Sequence, residues 1–298
     1  MNVDLAVLTP AYLDYTFVGL EALPGPGEER FAGDMLRSPG GGAITAVGAT
    51  RLGLKTALVA PLGDDLAGNF VRRALEEEGV ACGEPRGTRT PTTVVMPVDG
   101  ERSMVTVDPG VRARAGDLEP LSPRAIAVTL EQIDVVPAGA CAFVTCGDDD
   151  ARAFAGRLPR VAAERRPRGL VVNRREAGLL TGADTPEEAA ALLAPMAHIA
   201  AVTLGPDGVI AMVDGQTLHI DGTTGTVIDT TGAGDLFSAA LCWADLLGAS
   251  PDVALAWANL YAGLSVRAHT GTGGAVSRAQ LLAEGTERGL PPLPEATA

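Results

Sequence analysis

The chain has 298 residues, 46% hydrophobic and 20% charged, which allows one large α/β domain with a sizeable core and argues against disorder. Its 23 basic and 37 acidic residues leave a net charge of −14, which speaks against nucleic acid as a partner. The four cysteines form no C-x-x-C pair, and with only three histidines they speak against a zinc site and a disulfide framework.

The first residues, MNVDLAVLTPAYLDYTF, lack a basic segment followed by a long apolar run, so they read as a strand and not as a signal peptide. No uninterrupted apolar 18-mer occurs, so no membrane span is expected and the cytoplasm is the expected location. Val3–Thr9 is the first buried strand, followed by Asp14, Tyr15–Leu20 and a Pro/Gly turn at Leu23–Gly27. Arg30–Arg37 is a further short strand. Gly40-Gly41-Gly42 opens a helix of small residues, Ala43–Leu52, suited to close packing on a sheet. Thr56–Pro61 is a strand and Asp65–Glu78 a helix closed by Gly79.

Thr92–Val98 and Ser103–Asp108 flank Asp99-Gly100-Glu101-Arg102, a hairpin signal. Ala125–Leu130 and Cys141–Cys146 read as strands, and Asp148–Arg166 as a helix. Leu170–Asn173 leads into a helix. Ala200–Leu204 turns through Gly205-Pro206-Asp207-Gly208 into Val209–Val213. Leu236–Leu247 and Val253–Arg267 are long apolar helices. This alternation predicts a mostly parallel sheet with helices on both faces, and the early strands with the hairpin predict a separate small sheet.

The run Asp229-Thr230-Thr231-Gly232-Ala233-Gly234-Asp235 carries the chemistry. Gly232, Ala233 and Gly234 precede an apolar helix, whose first N–H groups lack partners and attract anions. A carboxylate beside an anion site fits a base that takes a proton from a substrate hydroxyl while the N–H groups stabilise a transferring phosphoryl. Read alone, Asp235 equally complements the helix dipole.

DTTGAGDLFSAAL resembles the C-terminal signature of the ribokinase-like (PfkB) carbohydrate kinases. PGGGAITAVGATRLG, GDDLAGNFVRRALEEEGV, NRREAGLLTG and TLGPDGV resemble further family segments in the family's order, so the resemblance spans nearly the whole chain. It implies an ATP:alcohol phosphotransferase on a single three-layer, Rossmann-like α/β domain over residues 1–298. A discontinuous β lid from about 12–38 and 88–108 would cover the substrate. It places Asp235 on the catalytic base and Gly232, Ala233 and Gly234 on the anion hole. Asn173 and Glu176 fall on an N-x-x-E motif that serves Mg²⁺ through water near the ATP phosphates. The same pair also reads as a helix cap with its third-position partner.

Thr203, Gly205 and Gly208 resemble the nucleotide-binding strand and turn, and Asn259 the residue against adenine. Asp229 and Thr231, with the loop His269–Gly274, resemble a monovalent-cation site of the K⁺ type found in some members. Asp14 and the loop Gly40, Gly41, Gly42 fall on the sugar contacts, and Glu131 on a further one. The lid is expected to pair two copies into a homodimer.

Two departures stand out. Where the family commonly has an asparagine after the Gly-Gly pair, this chain has Ala43-Ile44-Thr45, so either Ile44 replaces it or Thr45 serves in a shifted register. The stretch between Ala125 and Asn173 is short for the family. A dinucleotide-dependent dehydrogenase is disfavoured because no G-x-G-x-x-G follows the first strand. A P-loop is disfavoured because Leu54 separates Gly53 from Lys55, the only lysine. A nucleoside kinase of the same family and a non-catalytic sensor on this fold stay open.

Overall fold

A computed structural model describes residues 1–87, 89–98, 101–156, 158 and 163–294. The chain opens with β1 (Asn2–Val7), β2 (Ala11–Val18), β3 (Asp34–Gly41), α1 (Gly42–Arg51), β4 (Thr56–Leu58), α2 (Leu66–Glu77) and β5 (Ala81–Cys82). It continues with β6 (Thr92–Val98), β7 (Glu101–Val107), β8 (Ser122–Thr129), β9 (Ala142–Thr145), α3 (Asp148–Ala153) and β10 (Gly169–Asn173). Then come α4 (Arg174–Thr181), α5 (Pro186–Leu193), β11 (Ile199–Thr203), β12 (Val209–Val213) and β13 (Gln216–Ile220). The last elements are α6 (Ala233–Leu246), α7 (Pro251–Ser265), α8 (Gly271–Gly274) and α9 (Arg278–Glu287).

The large sheet runs β13-β12-β11-β10-β9-β8-β1-β4-β5, parallel from β11 to β5, with β12 and β13 added antiparallel at one edge. Its strands alternate between two cores. Leu5, Val7, Ala125 and Ala127 face one side, with α1, α6 and α7. Ala6, Leu8, Ile126 and Val128 face the other, with α4 and α5. Both faces are buried because helices cover both, which is why β1 reads as a continuous apolar run.

Helix α6 is buried along Leu236–Ala244. Its alanines let α1 and α7 approach closely. Trp243 meets Trp257 edge-on, with ring centroids 6.4 Å apart. This packing holds the start of α6, and hence Asp235, at the carboxyl ends of the parallel strands, where ligands bind in open α/β sheets.

The small sheet is β3-β2-β6-β7. Asp99 and Gly100 lie outside the described residues, but the flanking strands pair antiparallel from Thr92↔Val107 to Val98↔Glu101, as a hairpin requires. Asp65 caps α2 by accepting from Gly68 N and also takes N–H and O–H bonds from Thr90, which ties the small sheet to the large body.

Three expectations change. The strand expected at Arg30–Arg37 lies at Asp34–Gly41, because its pairing with β2 carries it through Pro39 to the glycines. Gly40 and Gly41 therefore end a strand of the small sheet, and α1 begins at Gly42. The helix expected over Asp148–Arg166 is a helix only at Asp148–Ala153, with a 3-10 turn at Ala163–Arg165; residues 157 and 159–162 lie outside the described part. The short middle of the chain has a physical form: β8 crosses to β9 through a 3-10 segment, Leu130–Val135, in place of a full helix.

Candidate active site

Gly232 caps α6 in the left-handed conformation, at φ 78°, ψ 2°. A Cβ there would collide with Ile44 and the Gly271 backbone. Glycine is therefore required both by conformation and by contact. The α6 start is polarised by its free N–H groups. Ala233 N bonds weakly to Thr230 O at 3.3 Å, and Leu236 N closes the first turn on Gly232 O at 2.9 Å.

Asp235 sits on the first turn of α6, half-buried, and accepts the Thr45 hydroxyl on Oδ1 at 3.3 Å. Burial raises its carboxyl to about 7, opposed by the Thr45 bond and by the charge of Arg102. A base poised near neutrality suits proton abstraction from an alcohol during phosphoryl transfer.

Opposite stands Asp14 on β2, 5% exposed. Burial also raises it to about 7, and the Asp235 charge adds to the effect. A Cβ on Gly40 would run into the Asp14 carboxylate, so the glycine clears space for an acid at this wall. Thr45 and Ile44 point to different surroundings. Ile44 is buried against Gly232 and Gly271, whereas Thr45 turns its hydroxyl toward Asp235. The polar contact to Asp235 therefore comes from Thr45, and Ile44 packs beside Gly232.

Asn173 and Thr203 are register partners at the ends of β10 and β11. Asn173 caps α4, its Oδ1 accepting from Glu176 N at 2.9 Å, while Glu176 Oε2 accepts from Asn173 N at 2.8 Å. The capping reading therefore describes the observed geometry. It uses one Glu176 oxygen. Burial raises Glu176 to about 7, with the Asp235 charge contributing. The remaining Glu176 oxygen and the Asn173 side chain are hard oxygen donors of the kind magnesium takes alongside water. Among the described residues, no cluster of three or more His, Cys, Asp or Glu is arranged to hold a metal.

Thr203, Gly205 and Gly208 line the turn between β11 and β12. Asn259, buried on α7, donates Nδ2 to the Asp221 carbonyl at 2.8 Å, so it fixes the chain leaving β13 beside that turn. Asp229 accepts Thr231 N on Oδ1 at 2.8 Å and Thr270 N on Oδ2 at 3.0 Å, joining two loops. The Thr231 hydroxyl is buried without a partner among the described residues. Glu131 is exposed and accepts from Arg112 Nε at 3.0 Å, a surface ion pair.

Two residues of the site escape a motif-based reading. Arg102, from the hairpin, bonds Thr230. Arg51 of α1 donates to the carbonyls of Thr272 and Ala275 and pairs with Glu78, fixing the loop that backs Gly232. In the sequence Arg102 reads only as the last residue of a turn. Its distance from GAGD in sequence hid its place in space.

A buried-edge carboxylate on the first turn of a polarised helix, beside a parallel sheet and a small second sheet, is an arrangement suited to small-molecule phosphotransfer. A family model, pfkB family carbohydrate kinase, matches residues 15–277. The chain belongs to this family, and it is an ATP-dependent kinase. It is 29% identical to a ribokinase of Bacillus subtilis over 273 residues, covering 86% of this chain and 90% of that one. It is 28% identical to a fructokinase of Klebsiella pneumoniae, covering 75% and 85%. A solved Arabidopsis thaliana ribokinase, complexed with ribose and ATP, superposes with a TM-score of 0.76 at 25% identity, covering 95% and 98%.

Proposed function

We propose that this kinase transfers the γ-phosphoryl of ATP to an alcohol group of a sugar or sugar-like acceptor, with Asp235 as general base. The observation that carries the reading is Asp235 itself, on the first turn of α6 after the left-handed Gly232 and bonded by the Thr45 hydroxyl. The acceptor's hydroxyls bind Asp14 and the Gly40-Gly41-Gly42 loop, with Thr45 alongside. ATP lies along Thr203, Gly205, Gly208 and Asn259, with its phosphates toward Asn173 and Gly232.

The acceptor oxygen forms a bond to the γ-phosphorus as the bond to the β,γ-bridging oxygen breaks. The electron pair leaves with ADP, and the acceptor's proton passes to the Asp235 carboxylate. The N–H groups of Gly232, Ala233 and Gly234 stabilise charge on the transferring group. Asn173 and Glu176 would hold magnesium through water, which supplies positive charge to the phosphates. The unpartnered Thr231 hydroxyl beside Asp229 supports a monovalent cation of the potassium type at that loop.

The single domain carries a discontinuous lid built on β2, β3, β6 and β7. Met104, Val105 and Val107 are 52%, 61% and 59% exposed on β7, an edge strand, which supports pairing with a second copy. Sedimentation showing only monomer at every concentration would remove that part. Among the described residues no helix is long and apolar enough to cross a membrane. The cytoplasm, where ATP is supplied, is the proposed setting. A screen of ATP consumption across sugars, sugar acids and nucleosides tests the reading. Acceptor-dependent ADP release supports it, and ATP binding without transfer to any acceptor contradicts it.

A further inference from the structure

Arg102 joins the small sheet to the catalytic loop across 128 residues of sequence. Its Nη1 donates to Thr230 O at 3.1 Å and to Thr230 Oγ1 at 2.8 Å. The joint is otherwise open. A cavity of about 210 Å³ lies there, lined by Phe17, Val98, Ile228 and Asp229 together with the two bonded residues. Thr230 stands two positions before Gly232, and its carbonyl also receives Ala233 N at 3.3 Å. The lid arginine and an anion-hole amide thus share one acceptor.

Nη1 makes both bonds, which leaves the Nε and Nη2 edge of the guanidinium without a protein bond among the described residues. Arg102 also forms no salt bridge among them, although its charge acts on Asp14, Asp235 and Glu176. Arg37 and Arg112 are occupied elsewhere: Arg37 lies over the Tyr15 ring at 5.7 Å, and Arg112 binds Asp108 and Glu131. A cation with an open donor edge, docked beside a helix start and facing carboxylates, has the charge and geometry to engage a phosphoryl group.

We infer that Arg102 is a catalytic residue carried by the lid, its guanidinium engaging the transferring phosphoryl while Thr230 holds it beside the anion hole. This rests on the kinase reading above. Arg102 moves no proton and forms no covalent bond. It neutralises charge on the phosphoryl oxygens as the γ-phosphorus passes from the ADP oxygen to the acceptor oxygen. Lid closure and completion of the anion hole become one event, so ATP is committed only when an acceptor lies under the lid.

The test is steady-state kinetics of Arg102→Gln, Arg102→Lys and Arg102→Ala at saturating ATP and acceptor, with thermal melts as the folding control. Arg102 is exposed, so the variants should melt with the wild type. Loss of one transition-state donor predicts a fall in kcat of roughly 10²–10³-fold for Arg102→Gln. The acceptor KM should stay within a few-fold, Arg102→Lys should recover part of the loss, and millimolar guanidinium should partly rescue Arg102→Ala. A kcat near wild type, or a loss confined to acceptor KM, overturns the role of Arg102 and leaves the kinase reading standing. A wild-type chain that binds ATP and phosphorylates no acceptor overturns both.

Discussion

Thr45 on α1 donates its hydroxyl to Oδ1 of Asp235 at 3.3 Å, and the two residues are 190 positions apart. The bond favours the charged carboxylate and opposes the burial that raises it to about 7. Thr45→Val removes the bond at nearly constant volume. Asp235 should then titrate higher, moving the acid limb of kcat/KM toward alkaline pH and lowering activity at pH 6.5 by about threefold to tenfold. An unshifted pH profile would separate Thr45 from the base.

Gly40 lies directly over the Asp14 carboxylate, so Gly40→Ala must push that carboxylate aside. Acceptor KM should rise at least about tenfold with ATP KM unchanged, and stability should fall by about 1–3 kcal/mol. Equal losses for both substrates would place the damage outside the acceptor wall.

Glu176 has a capping bond and a proposed metal role, and Glu176→Gln separates them. Glutamine serves the same position in a capping box, so the melting temperature should hold. Removing the charge should raise the magnesium concentration needed for half-maximal activity severalfold. Asn173→Ala, by contrast, should cost about 1 kcal/mol of stability through the lost cap. An unchanged magnesium titration for Glu176→Gln would leave the pair as a cap alone.

Burial holds Asp14, Glu176 and Asp235 each at about 7 in the folded chain. Unfolded carboxyls titrate near ~4. Between those values the folded chain keeps protons that the unfolded chain has lost. The stability from these groups is therefore full below the unfolded value and falls as pH rises through about 7. The protein should melt lower at pH 8 than at pH 5, and Asp235→Asn, which cannot ionise, should narrow that gap. An identical pH dependence for the variant would remove Asp235 from the set.

Much of this site was legible because its parts are local. The GAGD run, the N-x-x-E pair and the Thr203–Gly208 turn each occupy one strand-to-helix or strand-to-strand junction, where residue type and spacing determine geometry. The apolar runs of β1, β8 and β10 were equally plain because both of their faces are buried. What stayed hidden depends on tertiary contact. Gly40 and Gly41 read as a helix opening until pairing with β2 placed them at a strand end. Ile44 and Thr45 differ by one position along a helix, and only packing against Gly232 and Gly271 shows which faces the site. Arg102 acquires its meaning from Thr230 alone. The strand β13 and the short α8, which backs Gly232, carry little periodicity of their own, so residue pattern does not mark them.

The most direct test of the central claim is single-turnover transfer of labelled γ-phosphoryl from ATP to the best acceptor found in the screen, comparing wild type with Asp235→Asn. The account predicts a folded variant that binds ATP and acceptor normally and transfers at least about 10³-fold more slowly. Transfer by Asp235→Asn within about tenfold of wild type would contradict Asp235 as the base.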